Sequence, residues 1–176
     1  EELGSGSITA LPLDKARSNR EGNQVNLFLY HTMPNPAKRN ERVARGPLAH
    51  AGKSPLALDL FYLVTVYGQN DSETKSHRLL GSVMSVLYDR TTLSRTEIEA
   101  ATEVELSDSD LHRQVEQIII TPEHLTFEEI SQLWRGFQAQ YRVSVAYKVS
   151  VVMIDSTLLP KSALPVLSRN WDNQGF

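Results

Sequence analysis

Histidine is the residue in this chain best suited to hold a metal or to move a proton. The five histidines are spread along the sequence, at His31, His50, His77, His112 and His124. No two have the i, i+4 or His-x-His spacing typical of metal ligands, and no carboxylate completes a triad with one of them. The chain has no cysteine, which excludes a disulfide framework, a zinc ribbon and a thiol nucleophile. The sequence therefore predicts no catalytic residue, no metal and no cofactor.

Carboxylates are concentrated between residues 97 and 110, a segment without lysine or arginine. Such carboxylates could serve acid–base chemistry or bind calcium. However, the segment lacks the alternating Asp/Asn residues and the central glycine of a calcium-binding loop. It is typical of a solvated acidic surface. Its acidic residues are Glu97, Glu99, Glu103, Glu105, Asp108 and Asp110.

Basic residues are concentrated in residues 33–56, which also hold four prolines and show neither helical nor strand periodicity. Loops of this length are usually functional or disordered. The segment contains no aromatic residue to stack on bases, and the chain as a whole has a net charge of −3, so nucleic acid is not the predicted partner. A protein surface is the predicted partner, and a solvated loop without a partner is the alternative. The basic residues are Lys38, Arg39, Arg42, Arg45 and Lys53.

The strongest structural signal lies at residues 141–155, where β-branched and aromatic residues alternate with polar ones. Val143, Val145, Tyr147, Val149, Val151 and Met153 are expected on one face of a long strand. The polar face disappears after residue 150, so we expect that end to be covered on both sides. Further strands are expected at residues 7–13, 24–32, 57–68 and 111–121, the first at an edge because of Pro12.

Helices are expected at about residues 72–89, 94–101 and 126–137. The second and third open with capping boxes, Ser94-x-x-Glu97 and Thr126-x-x-Glu129. In the first helix Leu80, Met84 and Leu87 mark an apolar stripe, and in the third the residues expected to face inward are Phe127, Ile130, Leu133, Trp134 and Phe137. Strands outnumber helices and alternate with them. The fold class is therefore α+β, with two to three helices packed on a mainly antiparallel sheet.

A chain of 176 residues is long enough for one compact domain with an arm. We expect the domain to span residues 1–156 and a polar C-terminal arm or linker to span residues 157–176. No apolar run approaches the roughly 20 residues that a membrane-spanning helix needs. Direct insertion into a membrane is therefore not expected.

Four blocks of the sequence together resemble one protein family. They are QVNLFLYHTMPNPAKRN, SPLALDLFYLVTVYG, HRLLGSVMSVLYD and LTFEEISQLWRGFQAQYRVSVAYKVSVVMID. The family is the N-terminal domain of the cap proteins of phage-tail-like contractile injection systems. The last block is the most specific, because it joins a helix ending in a tryptophan to a long alternating strand through a short turn.

The resemblance implies a structural role and a tail-terminator-like fold. It implies a homo-oligomeric ring of six subunits on the end of the inner tube and sheath, where the ring ends polymerisation and anchors the sheath. It also implies assembly in the cytoplasm as part of a phage-tail-like particle. In such a ring the basic residues Lys38, Arg39, Arg42 and Arg45 would meet a neighbouring subunit's acidic residues or face the tube. The acidic residues are Glu97, Glu99, Glu103, Glu105 and Asp108.

Two alternatives stay open at this point. One is another assembly protein, either an adaptor at the tube's other end or a head–tail connector. The other is an enzyme with a site in loop 33–56, in which case His50 would be required for activity.

Overall fold

The computed structural model describes residues 6–17, 22–38, 55–103, 106, 109–114 and 116–155. The elements follow in the order β1 (Ser7–Thr9), β2 (Gln24–Pro34), β3 (Leu56–Tyr67), α1 (Glu73–Asp89), β4 (Thr92–Leu93), α2 (Arg95–Thr102), β5 (Ile118–Glu123), α3 (Phe127–Gly136) and β6 (Ser144–Ile154). Short 3₁₀ turns occupy Gln69–Asp71 and Leu111–Arg113. The C-terminal arm that the sequence predicts at residues 157–176 lies outside the described residues.

The strands form one six-stranded sheet in the order β1-β2-β3-β6-β5-β4. β1 and β2 are parallel, and the other neighbours are antiparallel. The predicted α+β class with a mainly antiparallel sheet is therefore confirmed. β3 lies at the centre because it is apolar on both faces, and a strand covered on both sides needs such a sequence.

The core lies between one face of this sheet and α3. Leu63 of β3, Ala146 of β6 and Trp134 of α3 are buried together with Leu13, and Phe28 and Phe137 pack against them. The two phenylalanine rings meet edge to face, with centroids 4.9 Å apart. On the opposite face Val64, Val66 and Tyr147 are also buried, and α1 packs against β3.

Both predicted capping boxes are present. The Ser94 hydroxyl accepts the N–H of Glu97, and the Thr126 hydroxyl accepts the N–H of Glu129. Each glutamate carboxylate in turn accepts the N–H of its capping residue, at 2.9 and 2.8 Å. These reciprocal bonds satisfy donors that a helix start leaves free. They fix the starts of α2 and α3 where the sequence predicted them.

Two β-bulges interrupt the ladders of the sheet. The register shifts between Leu29 and His31 of β2, and β6 gains one residue relative to β3 between Val149 and Val152. Side chains alternate strictly along a strand, so one extra residue moves all later side chains to the other face. The prediction that Val151 and Met153 share a face with Val145 is therefore wrong.

Other predictions need correction in the same region. β6 begins at Ser144 and not at residue 141, and its end is not covered on both sides, because Ile154 is 50% exposed. The strand predicted at residues 111–121 begins only at Ile118, after the 3₁₀ turn, because only its last residues form an apolar run. β1 is likewise shorter than predicted and ends at Thr9.

The apolar helix faces are less completely buried than predicted. Phe127 of α3 is exposed rather than inward, because it lies at the first position of the helix. Met84 of the predicted α1 stripe is also exposed, and so is Val86, whereas Leu79 is buried. Helical periodicity therefore identified the helices correctly but overestimated how many of their apolar side chains are buried in the described part of the chain.

We divide the three long strands into two halves. The near half comprises residues 24–28, 62–67 and 144–147, and the far half comprises residues 29–34, 56–61 and 148–154. In the near half Asn26 is fully buried and its side-chain amide exchanges two hydrogen bonds with the Leu11 backbone, each 2.9 Å long. In the far half the buried carboxylate of Asp59 accepts bonds from Asn35 (2.7 Å) and Ser150 (2.6 Å). These polar contacts join segments far apart in sequence.

Candidate interaction surface

Most of the basic residues predicted to bind a partner lie outside the described part of the chain. Lys38 is the last described residue before this gap. Arg39, Arg42 and Arg45 are outside it, as is His50. The Lys38 ammonium lies 2.8 Å from the carboxylate of Glu116 in the same chain, and both side chains are partly exposed. Lys38 therefore has a partner within its own chain, just before β5.

The acidic residues are divided between α2 and undescribed positions. Glu97, Glu99 and Glu103 are described and exposed, and Glu105 and Asp108 are not described. Glu97 is engaged within its own helix, because the Ser94 hydroxyl and backbone N–H both donate to its carboxylate. These bonds lower the pKa of Glu97, with a smaller contribution from Arg90, whose guanidinium lies 3.8 Å away. Glu99 and Glu103 are the other described members of this predicted acidic set, and both are exposed.

The described histidines do not come together. His31 stacks near Phe61 in the far half, with ring centroids 5.4 Å apart, and His77 lies exposed on α1. His112 is in the 3₁₀ turn before β5, and His124 lies exposed between β5 and α3. Among the described residues, no three His, Asp or Glu side chains are placed to hold a metal ion.

The two outer edges of the sheet are poorly suited to pair with another strand. β1 covers only Gln24–Asn26 of β2, and further along this edge come the bulge at Leu29/His31 and Pro34. On the other side, β4 covers only Ile118 and Ile119, and Pro122 of β5 has no N–H to donate. Short edge strands, bulges and prolines are the devices by which proteins block edge pairing.

The long strand β6 is an interior strand, paired with β3 on one side and β5 on the other. β5 pairs only with residues Ala146–Ser150 of β6. The last part of β6, beyond Ser150, has no described strand on that side.

Exposed apolar side chains concentrate in the far half of the sheet. Leu29 and Met33 of β2, Leu56 of β3 and Ile154 of β6 all expose more than a third of their surface. Leu56 is directly opposite Ile154 in the β3–β6 ladder. Exposed apolar side chains that adjoin one another, as Leu56 and Ile154 do, are typical of interaction sites in soluble proteins. The sequence predicted that Ile154 is covered, and it placed Met33 and Leu56 in the loop of residues 33–56. An apolar strand residue looks the same whether its own chain or a partner covers it.

A second exposed apolar surface is aromatic. Phe127 is 74% exposed and lies over Tyr141, with ring centroids 6.0 Å apart. Tyr141 in turn contacts buried Trp134, with centroids 6.1 Å apart. This column of three rings connects the core to the surface at the start of α3. Exposed aromatic residues are enriched in protein interfaces.

In the described part of the chain, no helix has both the length and the apolar character needed to cross a bilayer.

The fold is similar to two structures determined by electron cryo-microscopy. One is the sheath/tube terminator of the extracellular contractile injection system PVC in its extended state, with a TM-score of 0.57 and 16% sequence identity over 99% of this chain and 59% of that one. The other is the tube-terminating cap of the anti-feeding prophage, with a TM-score of 0.56 and 16% identity over 92% of this chain and 53% of that one. The chain thus spans less than two thirds of either neighbour's length.

Among curated proteins, no sequence matches the chain. Residues 1–168, by contrast, match the family described as the Pvc16 N-terminal domain. This match covers almost the whole chain and agrees with the family that the four sequence blocks resemble. The chain belongs to the Pvc16 N-terminal domain family.

Proposed function

We propose that this chain is the structural cap of a contractile injection system. It forms a ring on the distal end of the inner tube and sheath, ends their polymerisation and anchors the sheath. The observation that carries the proposal is the fold, which over 99% of the chain is similar to a sheath/tube terminator. The exposed apolar far half is in keeping with this role, because an assembly protein must keep such surface for its partners.

The proposal describes a role in assembly rather than in catalysis. The ring is homo-oligomeric, with six subunits, and its partners are the tube and sheath proteins. Residues 1–156 form the cap domain, and residues 157–176 form an arm or linker. Assembly takes place in the cytoplasm, on a particle of the kind to which the PVC terminator belongs.

Deletion of this chain from a strain that produces the particles tests the role directly. Negative-stain images should then show tubes and sheaths of uncontrolled length, and re-expression of the chain should restore a single length. Particles of normal length without the chain would contradict the proposal. Mass measurement of the purified chain tests ring formation. A chain that stays monomeric at high concentration and does not bind tubes and sheaths when mixed with them would count against the proposal.

Charge pairing between neighbouring subunits is the finer part of the proposal. Basic residues Lys38, Arg39, Arg42 and Arg45 of one subunit lie near acidic residues of the next. The acidic residues are Glu97, Glu99, Glu103, Glu105 and Asp108. Lys38 and Glu97 already bond within their own chain, so the pairing between subunits rests on the three arginines and the other four acidic residues. Exposed pairs each contribute only about 0.2–1 kcal/mol, so buried apolar area must supply most of the stability of the ring.

The double reversal Arg42→Glu/Arg45→Glu tests this pairing, with ring formation followed by light scattering. We expect weaker assembly that depends on salt concentration, because repulsion replaces attraction. The matched control is Lys15→Glu/Arg135→Glu, which changes the net charge equally at exposed positions elsewhere. Unchanged rings with the first variant would contradict subunit pairing through this segment.

A further inference from the structure

A surface groove of about 370 Å³ lies between α3 and Tyr30 of β2. Its apolar lining comes from Leu125, Leu133 and Phe137, all of them partly buried. Gly136 lies in its wall, and a Cβ atom there would meet no heavy atom within 4 Å. Apolar side chains that line an open groove of this kind are typical of a binding surface.

Carboxylates lie on the polar side of this groove. Glu129 lines it, and the Glu128 carboxylate accepts a hydrogen bond from Gln132, another lining residue, at 3.3 Å. Burial raises the pKa of Tyr30, and the charges of Glu123 and Glu129 raise it further, so both carboxylates lie near its hydroxyl. Hydrogen bonds from the capping residue of α3 lower the pKa of Glu129, which is therefore charged at neutral pH. Within the described residues, Glu123, Glu128 and Glu129, here called the acidic rim, form no ion pair.

An apolar groove with an acidic rim fits a segment that is both apolar and positively charged. Residues 156–171 of this chain, here called the C-terminal segment, include Lys161 and Arg169 and no acidic residue. Residues 39–54 are also basic, but Val43 and Leu48 are their only large aliphatic residues. The C-terminal segment is therefore the better match to the apolar lining. Its large aliphatic residues are Leu158, Leu159, Leu164, Val166 and Leu167.

The C-terminal segment starts near enough to reach the groove. Tyr30 lies level with Lys148 of β6, six residues before Ile154. The distance along the sheet is about 20 Å, with about 10 Å more across two strand spacings. An extended chain from Asp155 to Leu164 spans about 30 Å. The aliphatic residues of the segment can therefore occupy the groove of their own chain.

We propose that the C-terminal segment binds in the groove beside α3 of its own chain. Its leucine side chains pack on Leu133 and Phe137, and Lys161 and Arg169 lie at the acidic rim. Burial of the apolar side chains supplies most of the affinity, because exposed ion pairs contribute little. The segment thereby runs back from the far half toward the near half, and it leaves Ile154 uncovered. This contact is made within one chain and does not depend on the cap role.

The absence of cysteine allows a cross-linking test on the full chain. In Gln132→Cys/Ala163→Cys one thiol lies beside the groove and the other in the C-terminal segment, and a short bismaleimide joins them. The control pair is Ser85→Cys/Ala163→Cys, with Ser85 at an exposed position on α1. We expect at least about fivefold more intrachain product from the first pair, because binding raises the effective concentration of the two thiols. Equal yields, or products that join two chains, would overturn the proposal.

Filling the groove tests the same contact from the other side. On the Gln132→Cys/Ala163→Cys background, Gly136→Leu places a side chain in the groove and should lower the intrachain yield at least about fivefold. Gly81→Leu is the matched control, because a Cβ at either glycine meets nothing within 4 Å. It should leave the yield unchanged, and circular dichroism shows whether both variants are folded. A yield that Gly136→Leu does not lower would overturn the proposal.

The charges of the segment are tested by Lys161→Glu/Arg169→Glu. This variant leaves every described residue unchanged, so it decides the question even if Gly136→Leu does not fold. The intrachain yield should fall about threefold, and the loss should be smaller at high salt concentration, where charges are screened. An unchanged yield at low salt concentration would contradict binding at the acidic rim.

Trypsin provides a measurement without cysteines or a cross-linker, because it cleaves after Lys161. In the unmodified chain this cleavage should be at least about fivefold slower than in Gly136→Leu, since the bound segment must first leave the groove. Cleavage after Arg45 should be equal in the two chains and is the internal control. Equal cleavage after Lys161 would overturn the proposal. Cleavage that Leu56→Lys accelerates and Gly136→Leu does not would place the segment over the far half, and it would overturn the proposal as well.

Discussion

The near and far halves of the sheet differ in how completely the chain covers them. In the near half all five residues from Leu63 to Tyr67 are buried, and α3 packs on the face that carries Leu63. In the far half Ala57 and Asp59 are the buried strand residues, whereas Leu56, Leu29 and Ile154 are exposed. Both bulges and the gap beside β6 also lie in the far half.

The difference indicates that the two halves have separate roles. The near half has the packing of an ordinary core and should supply most of the free energy of folding. In the far half Leu56 and Ile154 are about half exposed, and under the proposed function a partner covers them. Substitutions should therefore affect folding in the near half and assembly in the far half. The predictions below are ordered by their expected effect on the free energy of unfolding.

Truncation of one leucine in each half is the sharpest comparison. Leu63→Ala removes a fully buried side chain from the core cluster and should cost about 3 kcal/mol. Leu56→Ala removes a side chain that is 49% exposed and should cost less than about 1 kcal/mol. Urea unfolding of the isolated chain measures both values. Similar losses at the two sites would show that the far half is as tightly packed as the near half.

The turn that follows the near half of β3 gives the second comparison. A Cβ atom on Gly68 would overlap the Ser72 carbonyl oxygen and lie 2.8 Å from the Ser76 backbone nitrogen. Both atoms belong to the backbone, so Gly68→Ala must shift the start of α1 and should cost about 2 kcal/mol. Gly81→Ala is the control, because a Cβ there meets nothing within 4 Å. Gly81→Ala should stabilise α1 by about 0.5–1 kcal/mol. In thermal unfolding the midpoint temperature should fall for Gly68→Ala and rise for Gly81→Ala.

The cap of α3 tests how strongly the near half depends on this helix. Thr126→Ala removes the hydroxyl that accepts the Glu129 N–H, and it should cost about 1 kcal/mol. The Thr126 backbone N–H and hydroxyl also lower the pKa of Glu129. Ser131→Ala is the control, because its hydroxyl bonds only to a carbonyl within the same helix. Equal stability of Thr126→Ala and the unmodified chain in denaturant would contradict a role for the cap.

A lysine in the far half should have the smallest effect on folding and a large effect on assembly. Ile154→Lys should change the free energy of unfolding by less than about 0.5 kcal/mol, since the side chain is half exposed. It should nevertheless prevent the chain from binding tube ends, because burial of an unpaired charge is costly. Ile8→Lys, at an exposed isoleucine in β1, is the matched control. Co-sedimentation with tubes measures binding, and equal binding of both variants would contradict the assigned interface.

The sequence predicted the elements whose causes are local. The start of α1 at Ser72 and both capping boxes follow from residues within a few positions of each other. It could not predict the two bulges, because a register shift depends on the pairing of two strands. It also placed Ile154 in the interior, since nothing in a strand sequence states which protein will cover it.

Most of the secondary structure and the fold class could therefore be determined from the sequence itself, because periodicity and capping act over one or two turns of chain. The family was indicated by the resemblance of four sequence blocks. Tertiary structure alone decided that Lys38 meets Glu116 and that Gln114 reaches β6. Those contacts join residues 78 and 37 positions apart. They depend on how the sheet brings distant segments together, and local propensity carries no information about that placement.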